Sequence, residues 1–404
     1  MKIGLKEELN AVGQFYVIKI LYWLSVGFMG GYWVLYYLGV GLDFPKIAFM
    51  IMLGAVGSTL FEIPTGAVAD VYGRRVSVML SYFLTAVSYL GILLSGGNYF
   101  WLVIFSFLAG ISFTLESGAM EAWVVDTIKY SKYSKYLEKL LGRLGSVASV
   151  GFSIGAFVGG YLVGFGYDKA VMANITGFFL LTLYVLFFTH EIYFKKKKVN
   201  ILKNFRDTFK KSKQGVKFVL GNKQIFLITV LIFFLSFSGQ LNYSAYQPYI
   251  VDNGFPPQFI GYALSLSGII SIFSLNYAHK VSRFLGGKKR TLFLFSLLQG
   301  LAVLGIALIT DVRILFFLIA AHVVAYDLGG GVSPAFGALY NQFVPKKIRA
   351  TVISVTGLVR QSSVILAMIA FGILPVTIGL QNTVMVAGII LGVTAFGYLL
   401  VKEK

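Results

Sequence analysis

Six ionisable side chains interrupt long apolar runs in this 404-residue sequence: Lys19, Glu62, Glu116, Glu121, Asp327 and Arg360. A charge near the centre of a bilayer costs about 2.5–3.5 kcal/mol even on a lenient insertion scale, so such residues pair, face a water-filled cavity or trade protons. Carboxylates in that setting suit proton binding and release, and a proton crossing 100 mV supplies about 2.3 kcal/mol without any nucleotide. A second constellation ends an apolar run in "GAVADVYGRR", which holds Gly66, Asp70, Gly73, Arg74 and Arg75. Its glycines permit a tight reversal, Asp70 suits the free amides of a helix N-terminus, and its arginines favour one side of a membrane.

Other chemistries are missing from the sequence. The three histidines, His190, His279 and His322, form no H-E-x-x-H pair and no Ser/His arrangement at a convincing spacing. There is no G-x4-G-K-S/T phosphate loop, and zero cysteines exclude disulfides and thiolate metal sites. No catalytic residue, cofactor or metal is therefore expected, and the chain does not read as an enzyme.

The elements that must position these residues follow from composition. At 57% hydrophobic and only 13% charged residues, the chain departs from soluble domains, whose charged fraction is near a quarter. A bilayer core takes roughly 20 apolar residues of helix. Runs of that kind are expected at 11–38, 47–69, 76–96, 99–127, 139–164 and 169–190, then at 223–250, 257–280, 289–310, 312–341, 348–373 and 379–401. They are too long and too uniformly apolar for the alternating strands of a barrel. The expected fold is an all-α membrane protein of 12 transmembrane helices in two six-helix bundles. The first span lacks a small-residue cleavage site and reads as retained.

Charge sets the topology. With the N-terminus and every even-numbered connection on one side, that side holds 30 of the 35 lysines and arginines, against only Lys46, Lys169 and Arg313 opposite. This imbalance places both termini in the cytoplasm. The net charge of +19 is thus topological, with anionic lipid headgroups rather than nucleic acid as its neighbours. Three segments follow: an N-terminal bundle at 1–190, a basic linker at 191–222 and a C-terminal bundle at 223–404. Within the linker Ile201, Phe205, Thr208 and Phe209 recur at helical spacing between lysines, which fits an amphipathic helix on the inner leaflet and equally a solvated tether. The loop "HKVSRFLGGKKR" after the eighth span echoes "ADVYGRR" without the acid, a weak internal repeat.

Gly66, Asp70, Gly73, Arg74 and Arg75 fit the G-x-L-A-D-x-x-G-R-R/K signature between the second and third helices of major facilitator superfamily transporters, with Val68 and Val71 as departures. In the fifth span Gly142, Gly151, Gly155, Gly159 and Gly160 resemble the family's antiporter motif G-x8-G-x3-G-P-x2-G-G, with Ala156 in place of proline. The chain thus resembles the drug:proton antiporter-like exporters. One departure is that "FSFLAGIS" puts Ser106 and Ala109 where those exporters often carry an arginine followed by Gln and Gly in the fourth helix.

The resemblance implies a latch in which Asp70 meets the start of the eleventh helix, Arg74 pairs with Asp126, and Arg75 serves orientation. It implies a central cavity lined by helices 1, 4, 7 and 10 and flanked by 2, 5, 8 and 11, the helices that carry all six intramembrane charges. Asp327 and Arg360 are expected to pair. Glu116 finds no cation at an obvious matching depth and is the first choice for proton coupling, ahead of Glu62, Glu121 and Asp327; Lys19 is left to Glu62 or Glu121, or to the inner surface. Gln240, Asn242, Tyr243, Tyr246, Gln247 and Tyr326 supply a polar and aromatic cavity surface suited to amphipathic or cationic compounds.

The glycines of the fifth span are expected to let two helices approach closely and bend, which suits a helix that must rock. These features imply a secondary transporter working by alternating access, which exports small amphipathic or hydrophobic organic compounds against protons. A symporter or uniporter for solute uptake is the alternative. The partners expected are a small-molecule substrate, protons and lipids, for a monomer in the cell membrane.

Overall fold

The computed structural model describes residues 5–131, 133–194, 212–329, 334–345 and 348–402. Within a bilayer each backbone N–H and C=O must be satisfied inside its own segment, so apolar runs of this length become helices. The described chain is helical throughout: α1 (Leu5–Met29), α2 (Trp33–Gly39), α3 (Phe44–Tyr72), α4 (Arg74–Leu94), α5 (Tyr99–Tyr130), α6 (Leu137–Val163) and α7 (Tyr167–Phe188). After a helical stretch α8 at 212–221 come α9 (Lys223–Asp252), α10 (Pro257–Asn276), α11 (Ala278–Phe284), α12 (Lys288–Leu308), α13 (Val312–Gly329), α14 (Pro334–Tyr340) and α15 (Arg349–Gly397). The linker positions Ile201, Phe205, Thr208 and Phe209 lie outside the described residues.

Ten of the described helices are long and apolar enough to cross a membrane, or eleven if a bent pair counts as one span. Two of the expected spans are broken. The first stops at Met29 and restarts at Trp33, and the eighth bends by 75° between Pro257–Phe273 and Ala278–Phe284. Conversely, the last two expected spans fall in α15, whose backbone departs from helical geometry at Gly379, φ 84°. Glycine alone takes that angle without steric cost.

The contacts divide the chain into two units. The first holds Met1–Trp33 and Leu53–Phe205, the second Val34–Met52 and Arg206–Lys404. In the first, α1 packs on α6 and α7, and α4 on α5 and α7. Its core centres on the edge-to-face pair of Phe15 and Trp123, 5.1 Å apart, with Val78, Tyr82, Phe178 and Leu181 around it. In the second, α9 packs on α15, α12 on α13 and α15, and α10 on α13. Val34–Met52 is anchored within it by the ring of Phe44 against Phe371, 5.6 Å, and by the side chain of Ala48 against Gly372.

Candidate functional site

Lys19 on α1 and Glu116 on α5 form an ion pair within the first unit, Nζ to Oε1 4.0 Å, with side chains 26% and 11% exposed. This corrects the expectation that Glu116 lacks a cation and that Lys19 serves Glu62 or Glu121. Those two acids are exposed. The four-carbon lysine stem reaches along the helix to close a difference in depth that spans drawn from sequence leave open. Tyr22 of α1 and Tyr82 of α4 stand within electrostatic reach of Glu116. Their rings lie 5.7 Å apart and both adjoin Phe178. The Tyr82 hydroxyl is buried without a hydrogen-bond partner among the described residues, a polar group held in an aromatic wall beside the pair. Neither tyrosine was singled out from sequence, because a tyrosine in an apolar run carries no pattern of its own.

In the second unit Asp327 accepts a hydrogen bond from the hydroxyl of Ser271 on α10. The sequence pointed to Arg360 for this role; a lone serine in an apolar helix gave no signal. Arg360 itself is half-buried on α15. Of the six cavity candidates, Asn242, Tyr246 and Gln247 are buried inside the unit. Gln247 donates back to the Tyr243 carbonyl of its own helix at 2.8 Å, and Gln240 reaches Ser244 Oγ at 3.4 Å. Asn242 Nδ2 stands 3.2 Å from His322 Nε2, while His322 Nδ1 is buried with no partner among the described residues. His322 thereby joins the candidates, having entered the sequence reading only as evidence against an enzyme. Tyr243 and Tyr326 keep the most exposure, 38% and 39%.

The "GAVADVYGRR" loop is fastened at both arginines. Gly73 caps α4 with φ 103° and offers no side chain to its first amides. That role falls to Glu191, beyond α7, whose two carboxylate oxygens accept from the backbone N–H groups of Arg74 at 3.1 Å and Arg75 at 3.0 Å. A Cβ on Gly73 would lie 2.8 Å from Glu191 Oε2, so the glycine supplies both the angle and the room. Arg74 pairs with Asp126 and also donates to the Ala122 carbonyl at 2.8 Å. Arg75 does more than mark orientation: its guanidinium donates to the Val185 and Leu186 carbonyls at the end of α7 and to Thr189 Oγ1. An acid at the α4 N-terminus and a cation at the α7 C-terminus both match the helix dipole.

The segment after α7 is also tied to α1 and α5. Gln14 exchanges two hydrogen bonds with the His190 backbone, and Tyr193 stacks on Tyr130 with centroids 4.6 Å apart. Asp70, Arg74, Trp123, Asp126, Tyr130 and Glu191 line a cavity of about 260 Å³ there. Gly66 is open. Among the described residues no cluster of three or more His, Asp or Glu is placed to hold a metal.

The helix that carries these glycines, α6, runs unbroken from Leu137 to Val163. A Cβ on Gly151 would lie 2.5 Å from the Ile20 carbonyl oxygen, and Cβ atoms on Gly155 and Gly159 would overlap the Leu24 and Phe28 carbonyls of α1. Gly142 faces open space and Gly160 is buried. The motif therefore serves close backbone packing.

A family model described as Major Facilitator Superfamily matches residues 15–368. The uncharacterized MFS-type transporter YxaM of Bacillus subtilis (strain 168) is 24% identical over 396 residues, covering 96% of this chain and 95% of the relative. Similar solved structures include a mutant of the nucleoside transporter NupG (TM-score 0.79, 13% identity, 98% of this chain and 100% of that one). A POT family transporter in complex with 5-aminolevulinic acid gives 0.76, 15% identity and coverage of 97% and 96%. A D-xylose-proton symporter gives 0.73, 13% identity and coverage of 97% and 98%. At such identities the structures show a shared fold.

Proposed function

We propose that this chain, which belongs to the major facilitator superfamily, is a proton-coupled secondary transporter in which Glu116 carries the proton against Lys19. The family is one of membrane transporters and not of enzymes. The observation that carries the reading is the Lys19–Glu116 pair itself, two opposite charges held 4.0 Å apart between apolar helices. Protonating the acid removes the attraction and frees the lysine, so proton binding changes what holds α1 to α5. Asp327, which accepts from the Ser271 hydroxyl, is the second coupling candidate, followed by Glu121 and Glu62.

The direction we propose is export of small amphipathic or hydrophobic organic compounds, supported by the glycine spacing of α6 and by the aromatic wall at Tyr22 and Tyr82. We place the chain as a monomer in the cytoplasmic membrane, with 12 spans in two bundles at 1–190 and 223–404. Both termini, the latch and the basic linker at 191–222 then face the cytoplasm and anionic lipid, following the distribution of lysine and arginine. Asp70 would meet the start of the eleventh span there.

Uptake by symport is the second reading. It is favoured by Ser106 and Ala109, which stand where the exporters carry their fourth-helix arginine motif. Proteoliposomes with an internal pH dye, screened against chemically varied solutes, decide between the two. Protons moving opposite to the solute support export, and protons moving with it establish uptake. In either case Glu116→Gln is expected to abolish proton-driven flux while leaving solute exchange largely intact. If proton-driven flux survives in that variant, the proton is carried by another acid.

A further inference from the structure

Glu8, near the start of α1, is a carboxylate only 2% exposed, and a buried charge is retained where partners occupy it. Tyr16 Oη donates to its Oε1 at 2.5 Å, and the Arg143 guanidinium donates to its Oε2. Arg143 belongs to α6, so this clasp fastens the first turns of α1 to the first turns of α6. Farther along, Gly151, Gly155 and Gly159 meet the Ile20, Leu24 and Phe28 carbonyls, each four residues after the last on both helices. Gly27 completes the seam from the other side, where a Cβ would lie 2.7 Å from the Phe152 carbonyl oxygen and 2.8 Å from the Ala156 nitrogen. Backbones this close cannot slide or turn against one another without collision.

Lys19 lies between these two attachments. It follows Glu8 by eleven residues, about 16 Å of helix, and immediately precedes Ile20, whose carbonyl meets Gly151. We infer that α1 and α6 move as one rigid pair, and that Glu8, Arg143 and Gly151 are positioning residues that set the depth at which Lys19 meets Glu116. This rests on the reading of Lys19–Glu116 as the coupling pair. It uses the α6 glycines for the close approach expected of them, so that movement in the first unit takes place against this pair and not within it.

The test reads the Glu116 carboxyl directly. In lipid nanodiscs, infrared difference spectra collected across pH follow its protonation, with the band assigned by its loss in Glu116→Gln. Lys19→Gln sets the size of the effect when the cation is gone, about one pH unit in the midpoint. Glu8→Gln and Gly151→Val are expected to move the midpoint by a comparable amount. The chain contains no cysteine, so Glu8→Cys with Arg143→Cys introduces a single pair of thiols. Joined by a short bismaleimide, that pair is expected to return the midpoint to the wild-type value, which a role in folding alone does not predict. Should Gly151→Val fail to insert, the Glu8 variant and the cross-link still decide. A midpoint that moves in Lys19→Gln but stays fixed in Glu8→Gln overturns the positioning role alone. One that stays fixed in Lys19→Gln as well overturns both that role and the ion-pair reading.

Discussion

Lys19 Nζ lies 4.0 Å from Glu116 Oε1 across the α1–α5 boundary. The acid is nearly enclosed while the lysine keeps a quarter of its side-chain surface. That asymmetry matters because the enclosed partner depends on the pair more than the exposed one does. Tyr22 and Tyr82 stand within electrostatic reach of Glu116, so the carboxyl has aromatic rather than cationic groups for its other neighbours.

Removing one member of such a pair should cost more than removing both. Lys19→Met leaves Glu116 without its cation, at a cost of roughly 1–3 kcal/mol for an unmatched buried group. Lys19→Met combined with Glu116→Gln removes the mismatch and should recover most of that loss. Thermal melts of the two variants and the parent in detergent check this. A double variant that melts no higher than Lys19→Met would argue that the two side chains do not interact.

How much of this was legible beforehand depends on the range of the contact. The helices follow from apolar runs, and Gly66, Asp70, Gly73, Arg74 and Arg75 stand out as a local pattern, with Asp126 found by resemblance. The partner of Arg75 does not stand out, because carbonyls at the end of α7 are backbone groups and any sequence supplies them. Glu191 is a single acid ahead of four lysines, and only the folded chain brings it to amides more than a hundred residues earlier. Lys19 and Glu116 were each visible, but their pairing depends on side-chain reach, which composition does not encode. The break after Met29 interrupts a run that stays apolar through Gly30, Gly31 and Tyr32, so hydropathy passes over it.

Asp43 gives a pH dependence of known sign. The Lys46 backbone N–H donates to its Oδ1 at 2.9 Å and holds the carboxyl below the usual carboxylate range, with the Lys46 ammonium 3.3 Å away adding to it. A depressed folded-state value means the contribution is complete above the unfolded value of about 3.9 and is lost as pH falls through the folded one. The side chain is more than half exposed, so the effect should be about 0.5 kcal/mol or less. Melting temperature followed from pH 5 down to 2.5 should therefore fall slightly less steeply in Asp43→Asn than in the parent.

Gly142 and Gly155 belong to one motif but should answer substitution oppositely. Gly142 has nothing within 4 Å of an added Cβ, so Gly142→Ala should be neutral or stabilising by about 0.5–1 kcal/mol, the helical preference for alanine. Gly155→Ala drives a methyl group into the Leu24 carbonyl and should lower the melting temperature, with overpacking of this kind costing about 1–3 kcal/mol. Flux measured alongside stability separates packing from flexibility. If Gly142→Ala keeps its stability and loses transport, the motif has a role that packing does not explain.

Glu191 and Arg75 form reciprocal caps, one closing the N-terminus of α4 and the other the C-terminus of α7. Replacing Glu191 by alanine strips two amides of their acceptors and should cost about 0.5–2 kcal/mol, as loss of a helix cap does. Glutamine keeps one acceptor oxygen and gives up the charge, so Glu191→Gln should lose less, about 0.3–1 kcal/mol from the helix dipole. Arg75→Lys retains a cation near the last carbonyls of α7 but cannot donate to Val185, Leu186 and Thr189 together, because an ammonium lacks the planar fork. Hydrogen–deuterium exchange localises these effects. Glu191→Ala should speed exchange in the first turn of α4, whereas Arg75→Gln should leave that turn protected and loosen the segment around Thr189. Equal exchange in both variants and the parent would mean that the helix ends are held by the bundle and not by these two side chains.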